Sequence, residues 1–577
     1  MKILIAKTAG FCMGVRRAVE MVLDAPNKHQ NPICTYGPLI HNPQVLNLLK
    51  EKGVFILSKI PDHGSGTVLI RAHGIPPKAK EKLKAAGFKV IDATCPRVIK
   101  VQTIIYTHAQ QGCAAIIIGD KDHPEVVGLL GFAGEKGYVV DNLNDLDSLQ
   151  PFDRAIIVAQ TTQNTIFFEK VKNWAGQKYP HYKIFDTICD STARRQAEVY
   201  QLADSVDAII VAGGFNSGNT QRLAEIARQT GKPTYHIESE SELDLEALSL
   251  AQSIGITAGA STPNWIINRI YRTLEFLPYT KGKRRRRFLV TIQRALLLTN
   301  IYVSIGAGCL CYACTKLLGI TNFFPHVLIS FLYVQSMHIL NNLTGTKADR
   351  YNDPERASFY DNNMLLLSLL AIIAGGAGLL TAYTLGLIPF LILLSMSIMG
   401  LSYNSKLFPG WFASGKYLRI RDIPGSKTVL IAMAWGIVTA LLPSLSGSLN
   451  SSLSTAAVFF WSVCLVFVRT AFFDILDMQG DRIVGKATIP LLLGEKRTLR
   501  LLKSMLIFVF VFILLSSALH LTSSLGVALA ICPIFLLIIL SAHERGHMLP
   551  GTRLEFLVET HFVLAGIMAL IWSAAVG

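Results

Sequence analysis

Along the first 280 residues, short apolar runs alternate with longer stretches that interleave charged and apolar positions, the pattern of strands and amphipathic helices in a soluble α/β protein. From Phe288 onward the chain switches to apolar runs long enough to cross a bilayer. These runs are readable near residues 288–313, 322–340, 363–383, 386–403, 428–444, 455–476, 503–521, 524–541 and 556–576, about nine in all, and predict an all-α membrane bundle. Nine crossings from a cytoplasmic first half would leave the C-terminus on the far side. A chain of 577 residues also exceeds what one hydrophobic core serves. Two units are therefore expected, 1–280 and 288–577, joined by the basic stretch 281–287.

Within the first unit a weak repeat recurs, in which a short apolar strand runs into a turn carrying a cysteine and then into a helix. Its instances are Ile3-Leu-Ile-Ala-Lys-Thr-Ala-Gly-Phe-Cys12, Lys89-Val-Ile-Asp-Ala-Thr-Cys95 and Lys183-Ile-Phe-Asp-Thr-Ile-Cys189. The pattern predicts one α/β module used three times about a pseudo-threefold axis. A cysteine at a helix N-terminus has its thiolate favoured by the macrodipole, and three such thiolates make a soft anionic ligand set suited to an iron-sulfur cluster. Held by only three cysteines, a 4Fe-4S cube would leave one iron open to substrate. Taken singly, a cysteine after a strand is more often a small buried hydrophobe than a ligand; Cys34 and Cys113 fall outside the repeat.

Other strand ends carry His41, His73, His123 with Glu125, Thr161, Ser217-Gly218-Asn219 and Ser261. Imidazoles, hydroxyls and an amide placed before helices add donors to free backbone NH groups, as a diphosphate ligand requires. His63, His108, His181 and His236 lack that context and are expected at the surface or in the core.

Charge changes the picture mainly at the junction. The run Lys281-Gly-Lys-Arg-Arg-Arg-Arg287 precedes the first apolar run, which favours a cytoplasmic position beside anionic lipid over a nucleic-acid patch. The net charge of +16 is likewise assigned to cytoplasmic loops and not to nucleic acid, and the mean hydropathy of +0.40 averages two unlike halves. The opening Met1-Lys-Ile-Leu-Ile-Ala is a strand pattern rather than a secretory leader, so the first half is expected in a reducing cytoplasm and the second in the inner membrane.

The soluble half resembles the 4-hydroxy-3-methylbut-2-enyl diphosphate reductases of the methylerythritol phosphate pathway. The resemblance rests on GFCMGVRRAV at Cys12, RAHGIP at His73, DATCP at Cys95, GDKDHPEVVG at His123, NSGNTQRLAEIA at 216–227 and AGAST at Ser261. It implies that Cys12, Cys95 and Cys189 hold a 4Fe-4S cluster, and that His41, His73, His123, Ser217, Gly218, Asn219 and Ser261 bind diphosphate. Glu125 and Thr161 would manage the proton at the substrate hydroxyl, with electrons from ferredoxin or flavodoxin. Gly218 stands where many relatives carry a serine.

In the membrane half, Asp474, Asp477 and Asp481 share one helix face, and carboxylates beside a bilayer call for hard cations such as Mg²⁺ bridging to phosphate. A second polar set runs from Asn341 and Asn342 through Gly345 and Asp349 to Asp353. These resemble the paired motifs of UbiA-type intramembrane prenyltransferases. The resemblance makes Asn341, Asp349, Asp474, Asp477 and Asp481 the Mg²⁺ set, and Arg419, Arg421, Lys427 and Lys486 the prenyl diphosphate contacts. Asn342 and Gly345 stand where that family often has carboxylates, which leaves room for a membrane half that only anchors the reductase. A soluble half that binds a cluster as a redox sensor is the other alternative.

Overall fold

The computed structural model describes residues 1–29, 31–280, 284–344, 352–403, 423, 425–445, 452–484, 486 and 488–576. The chain divides into two compact units, Met1–Lys281 and Gly282–Gly577.

Strands of the first unit are β1 (Lys2–Ile5), β2 (Ile33–Tyr36), β3 (Val54–Leu57), β4 (Thr67–Ile70), β5 (Lys89–Asp92), β6 (Ala114–Ile118), β7 (Gly137–Val140), β8 (Ala155–Ala159), β9 (Lys183–Phe185), β10 (Ala208–Ala212), β11 (Thr234–Ile237) and β12 (Ser253–Ala258). They form three four-stranded parallel sheets, ordered β5-β4-β2-β3, β9-β8-β6-β7 and β1-β12-β10-β11. The three orders superimpose term by term, so the threefold repeat is a repeat of whole sheets. The third sheet is completed by the first strand of the chain: Lys2 to Ile5 pair in register with Ser253 to Ile256. Inner strands β4, β6, β8 and β10 are buried at every position, because helices cover both faces, and their sequences accordingly read as apolar runs broken only by Thr67 in β4.

The second unit is helical around a core that includes Trp461, Phe472 and Phe562. Every apolar run expected from the sequence is helical over most of its length, but nine spans are not counted. Among the described residues six helices are long and apolar enough to cross a membrane, or seven if a bent pair is one span. Three expected spans account for the difference. Phe324–Leu343 carries His326, Gln335, His338, Asn341 and Asn342; Leu387–Ser402 has 16 residues; and Phe288–Leu298 meets Ile301–Leu317 at 75°. At that bend Asn300 adopts a left-handed φ of 59° and its amide donates to the Tyr360 hydroxyl at 2.6 Å. With the count at six or seven, parity places neither terminus. Met364–Leu385 shows the membrane character most plainly, with Leu365 77% exposed and Ile372 66% exposed on an apolar helix.

Candidate active sites

Equivalent strands deliver equivalent chemistry. The outermost strands β1, β5 and β9 lead to Cys12, Cys95 and Cys189, each the N-cap of the following helix. Their amides donate to the carbonyls of Ala260, Ala72 and Thr161, which follow β12, β4 and β8, at 3.2, 2.9 and 2.9 Å. Cys12 Sγ accepts from the Val15 amide at 3.4 Å. All three thiols are half-buried, and Cys95 lies within electrostatic range of both others. Burial pushes the Cys95 thiol up, while the Arg97 and Val98 amides pull it down. Gly14 gives the thiols room, since a Cβ there would stand 2.5 Å from Cys95 Sγ.

The inner strands supply the polar ring. His41 and His73 follow β2 and β4, His123 and Glu125 follow β6, Thr161 follows β8, Ser217 and Asn219 follow β10, and Ser261 follows β12. Imidazole centroids of His41, His73 and His123 lie 5.3 to 6.3 Å apart. Ser217 Oγ is 3.2 Å from Ser261 Oγ, which also approaches the His41 carbonyl at 3.4 Å. Gly218 opens the helix Gly218–Gln229, and a Cβ there would sit 3.4 Å from Arg222 Nη1 in ordinary contact, so a serine would fit. His41 Nε2, His73 Nδ1 and Asn219 Nδ2 are buried without hydrogen-bond partners. Unpaired buried donors are costly, and an anionic ligand would satisfy all three together.

Burial holds the imidazoles neutral: His123 is brought down to about 4, and His73 lies well below its ordinary value, with His123, His41 and Arg71 adding repulsion. His41 is lowered by burial and then by Arg71. Glu125 goes the other way. Buried at 1% exposure, its carboxyl is raised to about 7, although its oxygens accept from the Thr161 amide at 2.6 Å and the Thr161 hydroxyl at 2.8 Å.

Sequence reasoning missed the supports of this ring. Arg222 donates to Asp120 at 2.6 Å and to Gln163 at 3.1 Å, tying the third sheet's helix to the loop after β6. Buried Arg195 donates to the carbonyls of Ala258 and Gly10. The signal was present for Arg222, which falls in the buried stripe of its helix between Asn219 and Ile226. The excluded histidines lie apart: His63 is exposed, and His108, His181 and His236 each meet a backbone carbonyl.

In the membrane half, Asp474 accepts from the Thr428 hydroxyl at 2.6 Å and faces Lys427 at 3.5 Å, while Asp481 faces Lys486 at 3.4 Å and accepts from the Asn352 amide at 3.2 Å. Asn352 thus brings the end of the first polar set against the second motif, and Asp481 Oδ2 remains buried without a partner. Asp477 lies one turn from Asp481, which donates its amide to the Asp477 carbonyl. Asn341 ends the helix Phe324–Leu343, and Asn342 bonds the Tyr360 hydroxyl. Asp353 caps the helix Pro354–Asn362 and lies 3.7 Å from Arg356. Asp349, Arg419 and Arg421 lie outside the described residues.

Among the described residues no three His, Cys, Asp or Glu side chains close around a single metal ion.

Fold and site together define an α/β unit that gathers three thiols, three imidazoles and a buried carboxyl at the ends of its strands, joined to a helical membrane unit with carboxylates near its helix ends. Residues 3–275 match the LytB protein family, and residues 277–553 match the UbiA prenyltransferase family. The first half is 44% identical over 271 residues to the 4-hydroxy-3-methylbut-2-enyl diphosphate reductase of Aquifex aeolicus, covering 46% of this chain and 94% of that one. A solved (E)-4-hydroxy-3-methyl-but-2-enyl diphosphate reductase is 43% identical, covering 48% of this chain and 99% of its own, at a TM-score of 0.38. The UbiA homolog from Archaeoglobus fulgidus, solved with GPP and Mg²⁺, is 14% identical, covering 49% of this chain and 99% of its own, at a TM-score of 0.37. The chain belongs to the 4-hydroxy-3-methylbut-2-enyl diphosphate reductase family through its first half and carries a UbiA prenyltransferase domain in its second, a bifunctional enzyme of isoprenoid metabolism with a membrane-embedded C-terminal half.

Proposed function

We propose that the first half converts 4-hydroxy-3-methylbut-2-enyl diphosphate, two electrons and two protons into isopentenyl or dimethylallyl diphosphate and water, at a 4Fe-4S cluster held by Cys12, Cys95 and Cys189. The observation that carries this reading is the threefold placement of thiols at helix N-termini beside buried, unpartnered diphosphate donors. A cluster bound there would supply the electrons and a Lewis-acidic iron toward the departing hydroxyl. His41, His73, His123, Ser217, Asn219, Ser261 and the Gly218 amide bind and orient the diphosphate. Glu125, protonated below pH 7 in its buried setting, holds the proton for the leaving oxygen through the Thr161 hydroxyl it already engages. Ferredoxin or flavodoxin is the electron donor in this reading.

The second half transfers a prenyl group from its diphosphate to an acceptor, with Mg²⁺ on Asn341, Asp349, Asp474, Asp477 and Asp481. Lys427 and Lys486 now lie on Asp474 and Asp481; a cation on those carboxylates would release both lysines to the leaving diphosphate, alongside Arg419 and Arg421. The soluble half lies in the cytoplasm at the inner membrane, with residues 281–287 at the lipid surface.

Anaerobic oxidation of reduced methyl viologen by the full-length protein tests the first activity. Turnover on adding the diphosphate, abolished in Cys95→Ser, is expected. An iron-loaded protein that shows none would leave the soluble half as a redox sensor.

A further inference from the structure

Away from the acidic motifs, the membrane half buries a second charged group. Arg469 and Glu559 are 7% and 1% exposed, on the helices Ser452–Leu476 and Thr552–Val576. The guanidinium Nε donates to Glu559 Oε1 at 2.8 Å and Nη2 bonds the same oxygen, so both donors fall on one side of the carboxylate. Glu559 Oε2 is buried with no hydrogen-bond partner, and so is Nε2 of fully buried His561. As a stabilising device the pair is poor, since apolar residues in its place would cost less than a half-satisfied ion pair. A bare carboxylate oxygen inside an apolar bundle is accounted for by a ligand that donates to it.

Aromatic rings pack around this ion pair. The Arg469 guanidinium lies 5.0 Å from the Phe473 ring and 5.9 Å from the Trp435 ring. Trp435 in turn stands 5.1 Å from Phe562 and 6.3 Å from His338. Its helix, Ser426–Gly436, begins with Lys427 and Thr428 on Asp474, so the tryptophan lies about 10 Å deeper along the helix axis.

We propose that Glu559, positioned by Arg469, takes the proton of the prenyl acceptor's nucleophile, and that the acceptor is therefore a neutral, planar, hydroxyl-bearing ring and not a carboxylate. This rests on the prenyltransferase reading of the second half. The Arg469 charge is neutralised by Glu559, so no net positive charge is left to hold an acidic ring, whereas Oε2 offers a lone pair to an O–H. In the step, the prenyl C–O bond breaks and diphosphate leaves with the electron pair. The ring's nucleophilic atom bonds to the allylic carbon, and the O–H proton passes to Glu559 Oε2, with no change in oxidation state.

The test uses the full-length protein in lipid nanodiscs with geranyl diphosphate, Mg²⁺ and two acceptors, a hydroquinone and the same ring bearing a carboxylate. Transfer to the plain hydroquinone is expected to exceed transfer to its carboxylate. Glu559→Gln should lower transfer by about 100-fold. The double variant Arg469→Gln/Glu559→Gln, which strands no charge, should lose transfer in the same way, and Glu559→Asp should restore part of it. Unchanged transfer in Glu559→Gln, or preference for the carboxylate ring, overturns the assignment. Wild-type protein that releases no diphosphate with Mg²⁺ overturns the prenyltransferase reading itself.

Discussion

Three imidazoles held neutral around one point make ligand binding a protonation event. Their free-state values are lowered, chiefly by burial, so at neutral pH the site awaits its ligand uncharged. A bound diphosphate raises those values, so binding takes up protons and affinity increases as pH falls toward 6. Calorimetric titration of the oxidised protein in two buffers of different ionisation heat checks this, and a buffer-independent heat refutes it. Glu125 carries the opposite sign. Protonated below about 7 and ionised above, it makes turnover decline as pH rises through that value. Glu125→Gln keeps an acceptor for the Thr161 amide yet has no proton to give, so its turnover is expected to be lower by about 100-fold and to lose the step near neutrality. The ring residues were legible because each stands just beyond an apolar strand. Arg195 was not, because a charged residue on a helix reads as solvated until a neighbouring segment covers it.

Two glycines set distances between elements. Gly14 is helical, so Gly14→Ala favours the helix Met13–Lys28 by about 0.5–1 kcal/mol, yet the new methyl would meet Cys95 Sγ at 2.5 Å. Iron content and visible absorption should fall while far-ultraviolet circular dichroism is retained; a full complement of iron would show that the thiols do not share a ligand there. In the membrane half, a Cβ on Gly480 would lie 1.6 Å from Asn352 Oδ1. Gly480→Ala therefore separates Asn352 from Asp481, and prenyl transfer is expected to drop by about 100-fold with viologen oxidation unchanged. The same scale explains which expected spans fall short of a continuous apolar helix among the described residues. In Phe324–Leu343, Gln335 turns inward to Ser304 and the Thr299 carbonyl, so polar residues that dilute the apolar run are satisfied inside the bundle. The bend at Asn300 likewise left no periodic trace, because it is fixed by Tyr360, 60 residues away.

At the scale of the molecule, all three sheets and every proposed reductase residue lie within Met1–Lys281, each sheet with its own covering helices. Cutting the purified protein at a protease site inserted in residues 281–283 should leave viologen oxidation within about twofold of the intact chain. A collapse of turnover on cutting would mean that the reductase depends on the membrane half. The two-part organisation was visible as a change of hydrophobic period. The pairing that closes the third sheet was not, since nothing local in Lys2–Ile5 names its partner. That pairing sets an order of events at the ribosome. The strand that places Cys12 has no neighbour until β12 has been synthesised at Ser253–Ala258, with the first apolar membrane run only some thirty residues behind. Of the three thiols, Cys12 therefore waits longest for its place, because the strands before Cys95 and Cys189 pair with neighbours made long before β12.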